Sequence, residues 1–143
     1  MSDAPHRRFR VPILLGCLAM IASGFLPWWH AGGGSVDGVE IPPQTGIGLE
    51  GPGLVIYGAA VVGLVLLDIG YMRGRWGFVL DAPPVYLLLG LAGAAALLFR
   101  GWELWRVGFL PLPQQSPGLA VAAVGVALVL YGAGSGWGVR RAY

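Results

Sequence analysis

The sequence contains no lysine and only one cysteine. Without lysine, no side chain is present that could form a Schiff base with retinal or pyridoxal phosphate, or serve as the lysine of a P-loop. Cys17 alone can form neither an intramolecular disulfide nor a Cys-x-x-Cys redox pair. The residue inventory therefore excludes a quinone-coupled thiol oxidoreductase and several cofactor-dependent enzymes.

Charged residues are also scarce, at 11% of the 143 residues, against about 25% in typical globular proteins. Hydrophobic residues make up 56%, and the mean hydropathy is +0.70. Glycine (25) and proline (11) are abundant, but disorder is excluded because disordered chains lack apolar surface to bury. The composition predicts a small integral membrane protein.

Four apolar stretches are long enough to cross the hydrocarbon core of a bilayer, which needs about 20 helical residues. Three of them begin at Pro52, Pro83 and Pro117, where the first N–H groups of a helix have no partner to lose. We therefore predict an all-α membrane protein, a single domain over residues 1–143 with four transmembrane helices in a bundle. The predicted helices cover about 11–29, 51–70, 83–100 and 117–136, and the predicted outer loops cover 30–50 and 101–116.

The distribution of arginines predicts the orientation of this bundle. Seven arginines fall on the side that holds the N-terminus, the 69–82 loop and the C-terminus, and two, Arg100 and Arg106, fall on the other. Both termini are therefore predicted to be cytoplasmic, in a multi-pass protein of the plasma (inner) membrane of a bacterium. A basic N-terminus before an apolar run is also typical of a signal peptide, but no Ala-x-Ala site precedes Trp28, so we predict a retained helix.

The tryptophans lie near the ends of the predicted helices, as expected for residues at a membrane–water interface. They are Trp28, Trp29, Trp76, Trp102, Trp105 and Trp137. Trp102 and Trp105 are three residues apart, which further predicts a short helix lying in the interface.

An internal similarity allows a further subdivision. Pro-Gly-Leu opens both the second and the fourth predicted helix, at Pro52 and at Pro117. Two tandem helical hairpins in the same orientation would produce such a repeat. Repeated use of a small set of residues in apolar helices would produce it as well, and the sequence does not separate the two interpretations.

Ionisable residues within the apolar helices are few. Asp68, at the cytoplasmic end of the second predicted helix, could bind a proton or an ion, although a snorkelling or salt-bridged carboxylate is the favoured interpretation. No predicted helix carries a carboxylate near its middle, which argues against proton-coupled transport. The serines have no general base nearby in sequence, and we predict that the protein is not an enzyme.

One segment invites a cofactor hypothesis. His30, beside Trp28 and Trp29, is a candidate axial ligand for a pigment or an outer-face metal, although a solvated interfacial histidine is favoured. The other histidine, His6, lies on the opposite side in the predicted topology, so the two cannot share an ion. We predict no metal and no cofactor. The arginines stand in small groups beside apolar runs, which indicates membrane topology rather than nucleic-acid binding.

Small residues recur one turn apart on three of the predicted helices. Such faces let helix backbones approach closely in lipid, where dispersion then drives association. They predict a tight bundle with surfaces left for another membrane protein. The pairs are Ala59 with Gly63, Gly90 with Ala94, and Gly118 with Ala122.

The first half of the chain carries a resemblance. The run Gly24-Phe25-Leu26-Pro27-Trp28, the Gly-rich outer loop and the opening Gly51-Pro52-Gly53 resemble small four-helix membrane proteins of high-GC bacteria. This resemblance implies no activity. Claudin-like proteins also have four helices and a tryptophan-bearing outer loop, but this chain lacks their paired loop cysteines.

The residues lead us to expect a non-catalytic accessory or structural subunit of a larger membrane complex. Its expected partners are the lipid bilayer and other membrane protein subunits. The alternatives are a self-assembling homo-oligomer, closed by the small-residue faces, and a small transporter or channel, for which Asp68 is the residue to test.

Overall fold

Most of the residues described by the computed structural model, which are 4–31, 33–71, 82–108 and 116–140, lie in four α-helices. These helices are α1 (Ala4–Phe25), α2 (Gly53–Tyr71), α3 (Pro83–Arg106) and α4 (Pro117–Arg140). Two helices, α3 over its whole length and α4 over Pro117–Gly136, are long and apolar enough to cross a membrane. The apolar parts of the other two, Phe9–Phe25 and Gly53–Ile69, are shorter.

The four helices pack in a ring in which each helix contacts its neighbours in sequence, and α1 contacts α4. Neighbouring helices are antiparallel, because residues that contact each other across a pair of helices run in opposite sequence order. A Cβ atom built on Gly63 of α2 would lie 2.8 Å from Cys17 Sγ of α1, and one built on Gly93 of α3 would lie 3.0 Å from a methyl group of Val126 of α4. The described helices therefore form an up-down-up-down bundle, with the most extensive contact between α1 and α4.

The interior of this bundle is apolar. Its largest fully buried side chains include Ile13, Met20, Ile56, Tyr86 and Val129, drawn from all four helices. Large apolar side chains also cover the outside of every helix. Examples are Leu14 and Leu18 on α1, Val62 and Val65 on α2, Leu88 and Leu98 on α3, and Val124 and Tyr131 on α4.

The segment between α1 and α2 forms a β-hairpin. Strand β1 (Pro27–Ala31) pairs antiparallel with β4 (Gln44–Ile47), and β2 (Ser35–Val36) pairs antiparallel with β3 (Val39–Glu40). Two backbone hydrogen bonds join the ladders, because Gly33 N–H donates to Ile41 C=O (3.1 Å) and Ile41 N–H donates to Gly34 C=O (3.0 Å). We refer to residues 27–47 as the hairpin.

A two-residue turn closes the hairpin at its tip. Val36 pairs with Val39, and the two residues between them, Asp37 and Gly38, have φ of 53° and 80°. Positive φ at both central positions is the conformation of a type I′ turn, which matches the twist of the flanking strands and favours Asp-Gly.

The hairpin corrects several sequence predictions. The chain is not all-α over residues 27–47, because the predicted outer loop 30–50 contains strands, and the first helix ends at Phe25 rather than at Trp29. Prolines explain part of the difference, because Pro27 cannot donate the backbone hydrogen bond that would extend α1. At the second outer connection, α3 continues to Arg106 instead of ending near 100, so Trp102 and Trp105 lie on its last turns and not on a separate helix.

Candidate functional site

Trp28 is the residue that joins the hairpin to the helix bundle. Its side chain is 1% exposed, and its indole N–H donates a hydrogen bond of 2.8 Å to the carbonyl of Ser23. This carbonyl lies in the last turn of α1, and it also accepts a hydrogen bond from Leu26 N–H (3.2 Å). Trp28 therefore stabilises the end of α1, and its indole is enclosed by the protein rather than exposed at the helix end.

Two glycines make room for this indole. A Cβ atom on Gly118, in the first turn of α4, would lie 2.8 Å from Trp28 Nε1, and Gly48, just after β4, is also in contact with the ring. The strand register shifts between Pro27 and Trp29, so that Trp28 is the extra residue of a β-bulge. Bulges often redirect a side chain, and here the redirected side chain enters the bundle.

The outer half of the hairpin makes few contacts with the rest of the described chain. Apart from residues 32 and 36, whose burial is not described, every residue from Ala31 to Thr45 is exposed. Val39 is 67% exposed, and Ile41, just after the end of β3, is 46% exposed. The segment 27–50 carries Asp37, Glu40 and Glu50 but no arginine or lysine, so the exposed surface is apolar and acidic.

The structure does not bring the side chains of Trp28, Trp29 and His30 together around one cofactor site. Trp28 is buried in the bundle, Trp29 covers Gly46 on the paired strand, and His30 is exposed. Adjacent residues of a strand point to opposite faces, so His30 and Trp29 do not face one ligand together. Over residues 4–31, 33–71, 82–108 and 116–140, no group of three His, Cys, Asp or Glu residues could hold a metal ion.

Asp68 lies in the last turns of α2 and is exposed. The contact between Gly63 and Cys17 places Asp68 near the height of Pro12, at the end of the bundle that holds the start of α1. Arg73 and Arg75, which the sequence suggests as its partners, lie outside the described residues. Asp68 therefore remains a candidate ionisable site without a described partner, at one end of the bundle rather than at its centre.

The predicted small-residue faces lie mainly inside the bundle. Gly63 faces Cys17 of α1, and a Cβ atom on Gly90 would lie 2.6 Å from a methyl group of Leu130 on α4. Gly118 faces Trp28. Ala59 and Ala122 are buried and Ala94 is half-buried. Contacts within one chain thus use these faces, which leaves less of them for a second membrane protein than the sequence suggested.

The closest helix contact involves glycines that sequence reasoning missed. On α4, Gly118, Gly125 and Gly132 recur every seven residues, and the last two face α1. A Cβ atom on Gly125 would lie 2.8 Å from the carbonyl oxygen of Gly16, and one on Gly132 would lie 2.9 Å from that of Phe9. The heptad spacing of glycine was the signal that could have found this seam, because a seven-residue repeat keeps one helix face toward its partner.

The last turns of α3 carry an exposed aromatic pair beside an ion pair. Trp102 and Trp105 are 55% and 59% exposed, with ring centroids 5.4 Å apart and planes tilted by 58°. Arg100 Nη1 donates to Glu103 Oε2 at 3.0 Å, one turn apart on the same helix. The last turns of α3 are therefore amphipathic, since they carry an ion pair of zero net charge beside two indole rings.

The described interior contains few polar side chains that could take part in catalysis. Among the described residues, the buried polar or charged ones are Ser23 and Ser116. Ser23 Oγ donates to the carbonyl of Met20 at 2.6 Å, and Ser116 Oγ, just before α4, has no hydrogen-bond partner among the described residues. Neither serine has a described base at hydrogen-bonding distance that would activate it as a nucleophile. The two surfaces that the geometry does present are the exposed hairpin and the apolar outside of the helices.

The chain was also compared with known proteins. It matches no protein-family model, no curated protein sequence and no solved structure.

Proposed function

We propose that the protein is a non-catalytic accessory subunit of a larger membrane protein complex, with all four helices embedded in the bilayer. The observation that carries this proposal is the outward direction of its large apolar side chains, on every helix and at the tip of the hairpin. A soluble monomer rarely exposes contiguous apolar patches beyond a few hundred Å². Lipid accounts for the helical surface, and a partner protein accounts for the hairpin.

The hairpin is the part best suited to meet another subunit. A two-stranded ribbon is marginally stable by itself in water, and the outer half of this one is exposed wherever its burial is described. Its base is held by Trp28, so the tip is presented from a fixed support. Covering Val39 and Ile41 with a partner would remove exposed apolar surface from water, a favourable contribution to association.

The apolar interior favours this role over transport. A coupled transporter needs a titrating group in its path, and Asp68 is exposed near one end of the bundle. The close approach of Gly16 and Gly125 leaves no space for a solute along the α1–α4 seam. The orientation with cytoplasmic termini, in the inner membrane of a bacterium, belongs to the proposal and follows from the arginine distribution.

The test is purification of the tagged chain after mild detergent extraction, followed by mass measurement of the intact particle. We expect a second polypeptide in fixed stoichiometry. The double variant Val39→Ser with Ile41→Ser should lose it while melting at the same temperature as the unmodified chain. Val107→Ser is the matched control, since Val107 is 78% exposed at the same end of the molecule but outside the hairpin. A monomeric particle contradicts the proposal, and a particle containing only copies of this chain favours the self-assembling alternative.

A further inference from the structure

The hairpin marks where the hydrocarbon of a membrane must end on one side of the bundle. Each of its ladders has two strands in the described chain, so the outer edges carry backbone N–H and C=O groups outside any sheet. Open sheet edges do not occur in contact with lipid hydrocarbon, because nothing there can hydrogen-bond to them. The hydrocarbon must therefore end at or below Pro27, the first residue of β1.

Helix α3 independently indicates the same position for this hydrocarbon boundary along the bundle. A Cβ atom on Gly93 would lie 3.3 Å from Met20 Cε, which aligns α3 with α1. Counted from these two residues, Phe25 of α1 and Phe99 of α3 lie at nearly equal heights, and both are exposed. Directly beyond Phe99 come the Arg100–Glu103 ion pair and the exposed pair Trp102 and Trp105, the residue types that occupy a membrane–water interface.

The opposite boundary follows from contacts at the other end of the bundle. A Cβ atom on Gly136 would lie 3.3 Å from Pro83 Cβ and 3.4 Å from Phe9 Cγ, so these three residues share one height. Two charged residues lie within about one turn of it. They are Arg10, which is half-buried on α1, and Asp68, which is exposed on α2.

The distance between the two boundaries is short for a membrane protein. At 1.5 Å per residue, Phe9 to Phe25 on α1 and Pro83 to Phe99 on α3 each span roughly 24 Å. A typical hydrocarbon core is about 30 Å thick, and any tilt of the bundle would reduce its height further. The same limit accounts for the shorter apolar parts of α1 and α2.

We infer that the apolar surface of the bundle is matched to a bilayer with a thin hydrocarbon layer, with one water interface at Phe25, Phe99 and the Trp102–Trp105 pair. This inference rests on the proposed membrane embedding but not on the proposed partner subunit. Mismatch between a protein and its bilayer costs a fraction of a kilocalorie per ångström. Lipids whose chains fit the apolar surface should therefore stabilise the fold.

The experiment reconstitutes the full chain in phosphatidylcholine vesicles with myristoleoyl, oleoyl or erucoyl chains, in order of increasing thickness. Thermal unfolding is followed by circular dichroism. We expect the highest Tm in myristoleoyl vesicles, with a drop of roughly 5–10 °C to erucoyl vesicles. A Tm that is equal in all three lipids, or highest in the thicker two, overturns the inference.

A second measurement locates the interface and separates the two proposals. Lipids brominated near the headgroup should quench tryptophan emission more than lipids brominated at the chain end, and replacing Trp102 and Trp105 together by Phe should reduce the shallow quenching. Trp28→Phe is the control, because a buried indole should contribute little. If the double variant quenches like the unmodified chain, the assigned interface is wrong. If neither lipid quenches at all, membrane embedding itself fails.

Discussion

The closest approach of α1 and α4 makes a sharp prediction for Gly125→Ala. The added methyl group would lie 2.8 Å from the carbonyl oxygen of Gly16 and 2.9 Å from the backbone nitrogen of Met20. Backbone atoms cannot rotate away as a side chain can, so the two helices must separate. Overpacking of this kind costs about 1–3 kcal/mol.

The control is Gly134→Ala on the same helix. Gly134 is exposed, and a Cβ atom there would have no atom within 4 Å. Both substitutions gain about 0.5–1 kcal/mol of helix propensity, so the difference between them isolates the contact with α1. For a chain of this size, 1 kcal/mol shifts Tm by about 3–4 °C. We therefore expect Gly125→Ala to melt roughly 3–12 °C below Gly134→Ala.

The native chain provides its own reporter for this melt. Cys17 is the one cysteine of the sequence and is buried between α1 and α2. A fluorogenic maleimide should therefore react with it only when the bundle opens, and circular dichroism provides a parallel measurement. If Gly125→Ala and Gly134→Ala melt at the same temperature, the α1–α4 seam is looser than described and the reasoning is refuted.

Three further substitutions test other contacts by the same melt. Gly63→Ala places a methyl group 2.8 Å from Cys17 Sγ, so we expect circular dichroism to show a Tm below that of the unmodified chain. Adding Cys17→Ala to the same chain should restore the Tm. A missing rescue would contradict the contact. Trp28→Phe removes the hydrogen bond to Ser23 and should cost about 1–2 kcal/mol, with hydrogen exchange rising in β1 and β4; unchanged exchange would show that the indole does not hold the hairpin. Ser116→Ala removes a buried hydroxyl without a partner and should raise Tm, whereas a lower Tm would reveal a partner for that hydroxyl.

The helical part of the fold could be predicted because its signals are local. α3 begins at Pro83 and α4 begins at Pro117. An apolar run of sufficient length predicts a helix, whether that helix lies in lipid or in the core of a protein. The end of α1 could not be found in this way. The apolar run continues through Pro27, Trp28 and Trp29, and hydropathy does not distinguish a helix end from an apolar strand.

The hairpin and its support differ in how predictable they were. Asp37-Gly38 between Val36 and Val39 is a strong local hairpin signal, and it was available in the sequence. The burial of Trp28 was not available, because a tryptophan at a helix end is compatible with an interface or with a core. Its position depends on Gly118, which is distant in sequence, so only the folded chain brings them together.

The pairing of α1 with α4 also has a consequence for how the protein is made. The ribosome completes α1 first, and α4 follows only after the hairpin, α2 and α3 have been synthesised. Until then, the α1 surface around Gly16 and Met20 has no packing partner, because it packs against the glycine face of α4. Contacts between distant parts of a chain form slowly, because loop closure costs entropy before the contact is made. The contact between α1 and α4 can therefore form only after α4 has been synthesised, and the packing of α4 against α1 is the step that closes the ring of helices.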